Sequence, residues 1–171
     1  MKKNANYHYY VEGEDEKSLL DVLKSDMKCI ESGKVEKFNV IQNRISEARI
    51  RPLKYGVIVV FVYDTDVETN VDILKYNIEF LKKKPGIKEV VCIPQVKNLE
   101  DELKKSCDIK CVGELTNSRT TSEYKKALIA CTNLGARLEK CNFDISKLWV
   151  QIPENSFRQF GNDAEKIKIK Y

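Results

Sequence analysis

The sequence predicts an α/β domain with a mostly parallel central sheet of about four strands, flanked by helices and followed by a helical C-terminal extension. Short runs of β-branched and aromatic residues alternate with stretches of helical periodicity from residue 7 to residue 93. One run, at 57–63, is apolar at every position, which is typical of a strand buried on both faces. Strands that alternate with helices favour parallel pairing through right-handed crossovers.

The first elements are a strand, a helix and a second strand. A strand is expected at 7–11 and ends before Gly13. Helical periodicity at 14–30 follows, with acidic residues in the first turn, where the helix dipole favours negative charge. Imperfect alternation predicts a short strand at 35–41, and a short helix is expected at 45–53.

Further helices follow the central strand. The stretch at 71–84 has helical periodicity that a Pro-Gly pair ends, and a strand is expected at 89–93. Asn98 is a candidate N-cap for an acidic helix. Helical periodicity recurs at 122–131 and 134–140.

The chain is predicted to form a single domain over residues 1–171. Its core is expected at about 6–106, and the helical extension at about 107–171. No internal repeat or low-complexity linker marks a boundary. The tail at 165–171 alternates lysine with isoleucine, which fits either an edge strand or a basic arm.

Composition limits the class of protein. Hydrophobic residues make up 42% and charged residues 33%, which is typical of a globular protein. No apolar run is long enough to cross a bilayer and no leader pattern is present, so a cytoplasmic protein without a membrane partner is expected. The net charge of +4 permits attraction to nucleic acid.

The six cysteines are predicted to be core thiols for the most part. They contain no C-x-x-C pair, and the only histidine, His8, is remote from them in sequence, which disfavours structural zinc. The chain also has no glycine-rich phosphate loop of the nucleotide-binding types.

Acidic residues follow two of the predicted strands. Glu12 ends the first strand, and Asp64 and Asp66 end the central one. Because ligands bind outside the carboxyl ends of parallel strands, these side chains are expected to lie in one site. Carboxylates at this spacing suit Mg²⁺ or Mn²⁺. Glu12 is expected either to complete the metal site or to accept a proton from an attacking water.

The Asp-x-Asp motif also has a structural interpretation. Acidic residues after a strand often cap the following helix, so Asp66 or Glu68 would then serve the helix that begins near Asn70. For an isolated motif this interpretation is the more common one. The second acidic strand end, at Glu12, favours a metal site over a helix cap.

The two strand ends together resemble the Toprim family. That family has a strand-terminal Glu, often within V-E-G, and a D-x-D that ends a later hydrophobic strand; here the motifs are Val11-Glu12-Gly13 and Asp64-Thr65-Asp66. The resemblance covers about 7–102. It implies a Mg²⁺-dependent nuclease or related phosphodiester-cleaving protein, with Glu12 as the general acid or base and the two aspartates as metal ligands.

A further acidic segment is similar to the small OLD and RloB-like branch of that family. In that branch an acidic helix follows the strand after D-x-D, and either Glu100 or Glu102 would occupy this position. Glu16 is an additional acidic candidate. The resemblance implies a role in phage defence or in RNA or DNA processing.

Several basic residues are candidates for phosphate contact. Lys17 and Lys97 follow the first and fourth strands, although a solvated surface position is the more common explanation for each of them. Four basic residues cluster before the central strand and would contact phosphates without regard to sequence: Arg44, Arg49, Arg51 and Lys54.

Two other functions fit the same residues. A non-catalytic Toprim-like or receiver-like interaction module would keep the carboxylates for metal binding or structure and act through a protein partner. A glycosyltransferase would also use D-x-D, but the chain leaves little room for donor and acceptor sites. The substrate (DNA or RNA) and the oligomeric state are left open by the sequence.

Overall fold

The computed structural model describes residues 5–67 and 70–170. Its strands are β1 (Tyr7–Val11), β2 (Gly33–Lys37), β3 (Val57–Asp64) and β4 (Ile87–Gln95). They form one sheet in the order β2-β1-β3-β4, and every neighbouring pair is parallel. The predicted α/β fold with a parallel four-stranded sheet is therefore confirmed.

Helices flank this sheet and make up most of the C-terminal extension. The α-helices are α1 (Glu14–Ser25), α2 (Glu47–Ile50), α3 (Asp72–Lys82), α4 (Leu99–Ser106), α5 (Gly113–Thr116), α6 (Thr121–Ala130) and α7 (Leu134–Lys140). Short 3-10 turns follow at Ile145–Lys147, Ser156–Phe160 and Ala164–Lys166. No helix among the described residues has the length and apolar character to cross a membrane.

The first helix ends earlier than predicted because the chain reverses after it. Lys28 adopts a left-handed backbone conformation with φ of 53°. Ile30 then forms an antiparallel bridge with Lys168, and the amide of Ile169 donates to the carbonyl of Cys29. The tail is thus held by edge pairing and is not a free basic arm, although Tyr171 lies outside the described residues.

The second strand begins and ends earlier than predicted. Asn39 accepts hydrogen bonds from the amides of Ile41 and Gln42, which turns the chain away from the sheet. The helix expected at 45–53 is reduced to the single turn of α2.

Two apolar layers enclose the sheet, one on each face. One layer joins Val11 and Leu19 to Leu128, Leu138 and Trp149 of the C-terminal extension. The other joins residues of β1 and β3 to α3 and to the turn at Ser156–Phe160. The extension therefore completes the core on one face of the sheet.

The cysteines follow the predicted pattern in part. All six are free thiols. Cys29, Cys92 and Cys107 are buried, whereas Cys111 is exposed.

Candidate metal centre

The strand order creates a crevice between β1 and β3. The connection from β1 leads to β2 on one side, whereas β3 and β4 lie on the other side. The loops that leave the carboxyl ends of β1 and β3 therefore diverge, which is where open α/β sheets bind their ligands. Glu12 directly follows β1, and Asp64 is the last residue of β3.

Three carboxylates meet at this crevice. One oxygen from each of Glu12, Glu16 and Asp64 lies within 4.8 Å of the others. Glu16, in the first turn of α1, is only 4% exposed; its Oε2 accepts from no donor among the described residues, and its carboxyl group can share a proton only with the adjacent carboxyl of Asp15. A buried carboxylate oxygen without a partner is costly. A cation at the cluster would remove that cost.

Gly13 allows the carboxylates to approach the backbone. A Cβ atom at this position would lie 2.9 Å from Oδ1 of Asp15 and 3.0 Å from Oε2 of Glu16. Both distances are too short for a methyl group, so a larger residue would displace these side chains. The glycine of the sequence motif thus has a steric role at the cluster.

The carboxyl groups of the cluster bind protons more tightly than usual. Burial and the neighbouring Asp15 raise the pKa of Glu16 from 4.5 to about 9. Burial and the charge of Glu12 raise the pKa of Asp64 from 3.8 to about 8. Burial also raises the pKa of Glu12. Without a cation, this cluster therefore retains protons at neutral pH.

Two residues that the sequence reasoning missed orient Asp64. The side-chain amide of Gln95 donates to Oδ1 of Asp64 at 2.6 Å. The indole N–H of Trp149 donates in turn to Oε1 of Gln95 at 3.3 Å. Gln95 ends β4 and is fully buried. An amide residue directly after the apolar run at 90–94 is the signal in the sequence that points to it.

Asp66 lies outside the tight cluster. It is exposed, and its Oδ2 accepts a hydrogen bond from Asn98 at 3.3 Å. The charge of Asp66 still raises the pKa of Glu12 and Asp64. Glu16 therefore replaces Asp66 as the third closely spaced carboxylate.

The structural interpretation of the Asp-x-Asp motif does not hold for Asp66. The residue that precedes α3 is Val71, and the side-chain oxygen of Asn70, not Asp66, accepts from the amide of Asp72 at the start of that helix. Asn98 instead caps α4, by accepting from the amide of Asp101. Glu68, the other capping candidate, lies outside the described residues.

The two acidic candidates on α4 have different environments. Glu102 is 1% exposed, and its two oxygens accept from the backbone amides of Val96 and Trp149, each at 2.9 Å. Glu102 therefore fastens the extension to the end of β4. Glu100 lies near the cluster, since its charge raises the pKa of Asp64.

Lys125 of α6 is a cation that the sequence reasoning missed. Its Nζ lies 3.6 Å from Oε1 of Glu100. Partial burial lowers the pKa of Lys125, but the charges of Glu100, Asp15 and nearby acidic groups outweigh it and raise the pKa. In sequence Lys125 is one of many helix-surface lysines, and only the packing of the extension brings it to the cluster.

The predicted phosphate-contact residues are not gathered at the cluster. Lys17 pairs with Asp21 on α1 at 3.0 Å. Lys97 is exposed after β4; its carbonyl accepts from the amide of Thr65 at 2.8 Å, and the two residues line a cleft of about 670 Å³. The three predicted arginines differ in their contacts, and Arg51 is exposed without a described ion pair.

The other two arginines contact aromatic rings. The guanidinium of Arg44 lies 4.5 Å from the centre of the Tyr76 ring. Arg49 lies 4.1 Å from the centre of the Phe38 ring and pairs with Glu36. Arg49 also borders a cleft at the amino ends of the strands. The carboxylate cluster lies at the opposite, carboxyl ends.

Comparisons with known proteins identify no relative: no family model matches the sequence, and searches of curated proteins and of solved structures give no significant match.

Proposed function

We propose that the chain is a metal-dependent nuclease of the Toprim type that holds Mg²⁺ or Mn²⁺ at Glu12, Glu16 and Asp64. The observation that carries the proposal is the buried Oε2 of Glu16, which accepts from no described donor and lies beside two further carboxylates. The site lies at the crevice between β1 and β3, and its residues include the strand-terminal Glu and the first Asp of D-x-D.

The donor set fits a hard divalent cation. All three groups are carboxylates, and Mg²⁺ binds through a few carboxylates, waters and substrate phosphate oxygens. No sulfur or imidazole ligand belongs to the cluster, which disfavours zinc. The charges of Asp66 and Glu100 both raise the pKa of Asp64, and they would add to the negative potential that attracts a cation.

The surrounding residues supply the groups that phosphodiester hydrolysis needs. Bound Mg²⁺ would stabilise the negative charge that develops on the phosphate and on the leaving oxygen. Glu12, at the end of β1, would accept a proton from the water that attacks phosphorus. Lys125, exposed beside the cluster, contacts the phosphate, and Gln95 holds Asp64 in place.

Nucleic acid is the proposed substrate because its backbone presents phosphodiesters to such a centre. Phage defence and RNA or DNA processing are the proposed settings, and they rest on the resemblance to the OLD and RloB-like proteins. A protein partner that delivers the substrate is compatible with this proposal.

The test is cleavage of labelled single- and double-stranded DNA and RNA in Mg²⁺, Mn²⁺ or EDTA. We expect metal-dependent cleavage by the wild type and a loss of at least about a hundredfold in Asp64→Asn. Glu14→Gln is the matched control, since Glu14 is an exposed acidic residue of the same helix turn as Glu16. Metal binding without any cleavage would instead favour the non-catalytic interaction module.

A further inference from the structure

A cleft of about 750 Å³ opens at the amino ends of β1, β2 and β3, opposite to the metal centre. Tyr7, Gly33 and Val57, the first residues of these strands, border it. Its volume is within the range of small-molecule sites, which hold most of a ligand's surface. The metal centre at the carboxyl edge does not use this cleft.

Two titratable groups of the sheet line the cleft. His8 is 6% exposed, and its Nε2 lies 3.0 Å from Oε2 of Glu36. The other oxygen of Glu36 accepts from the guanidinium of Arg49 at 2.5 Å. Both carboxylate oxygens of Glu36 are therefore already engaged. An entering anion would meet a carboxylate whose charge is balanced by Arg49.

The His8 ring is prepared to accept a hydrogen bond. Burial lowers the pKa of His8 and the charges of Lys34 and Arg49 add to this, although the hydrogen bond with Glu36 opposes them. A neutral ring that donates its Nε2 proton to Glu36 has an acceptor at Nδ1. No described residue donates to that atom. A hydroxyl group of a ligand is a suitable donor.

Two lysines at the cleft carry positive charge that no described ion pair balances. Lys34 and Lys54 line it, both are exposed, and neither forms an ion pair with a described residue. Leu53 and Pro52 add an apolar wall on the same side as Lys54. Cations, a hydroxyl acceptor and an apolar wall together match a phosphorylated nucleoside.

We propose that this cleft binds a nucleoside monophosphate, either as a free nucleotide or as the 5′-phosphorylated end of a strand. Lys34 and Lys54 contact the phosphate, His8 accepts from a ribose hydroxyl, and the base lies against Pro52 and Leu53. The site is separate from the metal centre, so it does not depend on the proposed nuclease function.

His8 allows a direct test because it is the only histidine of the chain. Its imidazole proton signals can be followed by NMR while the full-length protein is titrated with AMP, in parallel with calorimetry. We expect saturable shifts of these signals with AMP and none with Mg²⁺ alone, since the metal centre lies at the opposite ends of the strands. A titration into the millimolar range that leaves these signals unchanged would overturn the proposal.

Surface variants identify the phosphate contacts. The double variant Lys34→Met/Lys54→Met is expected to fold normally and to weaken AMP binding by about tenfold or more, as expected when charge-assisted hydrogen bonds are lost. Lys88→Met, an exposed lysine of β4 outside the cleft, should leave the affinity unchanged. Equal affinity of wild type and double variant, or equal binding of AMP and adenosine, would contradict the phosphate contact.

Short oligonucleotides separate the two sources of the ligand. Tighter binding of a 5′-phosphorylated trinucleotide than of AMP, lost in its 5′-hydroxyl form, assigns the cleft to a strand end. Equal or weaker binding of the trinucleotide assigns it to a free nucleotide. In either case Glu16→Gln should leave AMP binding unchanged, because Glu16 lies at the metal centre.

Discussion

Trp149 donates its indole N–H to the side-chain oxygen of Gln95 at 3.3 Å, in the buried interior of the molecule. Gln95 uses its amide group to hold Asp64, so a residue of the C-terminal extension orients a candidate metal ligand through one intermediate. Groups that hold the ligands of a metal site commonly affect its affinity as much as its geometry. The extension therefore belongs to the proposed metal centre as well as to the core.

Trp149→Phe should weaken metal binding while the fold persists. The substitution removes the hydrogen bond to Gln95, which leaves the amide free to rotate away from Asp64. We expect Mn²⁺ affinity to fall by about tenfold, the usual effect of losing a group that supports a ligand. Calorimetry measures the affinity, and circular dichroism checks the fold. Unchanged Mn²⁺ affinity in a folded variant would show that Gln95 holds Asp64 without its hydrogen bond from Trp149.

Two variants on α4 should have different effects: Glu102→Gln should reduce stability, and Glu100→Gln should reduce cleavage. Glu102 accepts two backbone amides, and a glutamine can accept only one of them with its single oxygen. We expect Glu102→Gln to lower the free energy of unfolding by about 2 kcal/mol. Glu100→Gln should leave stability nearly unchanged and reduce metal-dependent cleavage. Urea denaturation and cleavage assays measure the two effects, and the reverse pattern would contradict these assignments.

The sequence could not decide between Glu100 and Glu102 for a physical reason. Both lie in the first turn of α4, and helical periodicity does not say which of them faces the end of β3. The decisive contact comes from Trp149, which is distant in sequence. Lys125 was not predicted for the same reason, since its contact with Glu100 also joins residues that are distant in sequence.

The central strand and its acidic end were the most predictable parts of the molecule. The apolar run at 57–63 and the position of Asp64 follow from local pattern alone. The prediction of Asp66 as an equal partner relied on the alternation of side chains along an extended strand. β3 ends at Asp64, so the alternation does not continue, and Glu16 from the adjacent helix completes the cluster instead.

The metal-free protein should lose stability as the pH rises from about 5 to 9. The pKa of Glu16 is raised from 4.5 to about 9 in the folded state, so the folded state keeps a proton that the unfolded chain releases. This contribution is complete below about 4.5 and is lost as the pH passes through about 9. Thermal unfolding in EDTA measures the trend.

The control for this pH dependence is Glu16→Gln. In this variant the melting temperature in EDTA should fall less steeply with pH, because residue 16 no longer titrates. Mg²⁺ should raise the melting temperature of the wild type more at pH 9 than at pH 6, since the ion must displace protons at lower pH. A wild-type stability that rises with pH in EDTA would contradict the raised pKa.

Gly13→Ala should disturb the metal centre without a large effect on the fold. The backbone at Gly13 is extended, with φ of −139°, so alanine fits the conformation. Its methyl group would collide with the carboxylates of Asp15 and Glu16, which are the movable ends of their side chains. We expect metal affinity to fall by about tenfold. Gly86→Ala is the control, because its Cβ would meet only Tyr55 at 3.6 Å.

The most direct test of the central claim is calorimetric titration of the full chain with Mn²⁺ and Mg²⁺, in the wild type, Glu16→Gln and Glu14→Gln. The account predicts saturable binding by the wild type and by Glu14→Gln, and a loss of at least about tenfold in Glu16→Gln. The absence of binding by a folded wild type, or equal affinity in Glu16→Gln, would contradict the assignment of a metal centre to Glu12, Glu16 and Asp64.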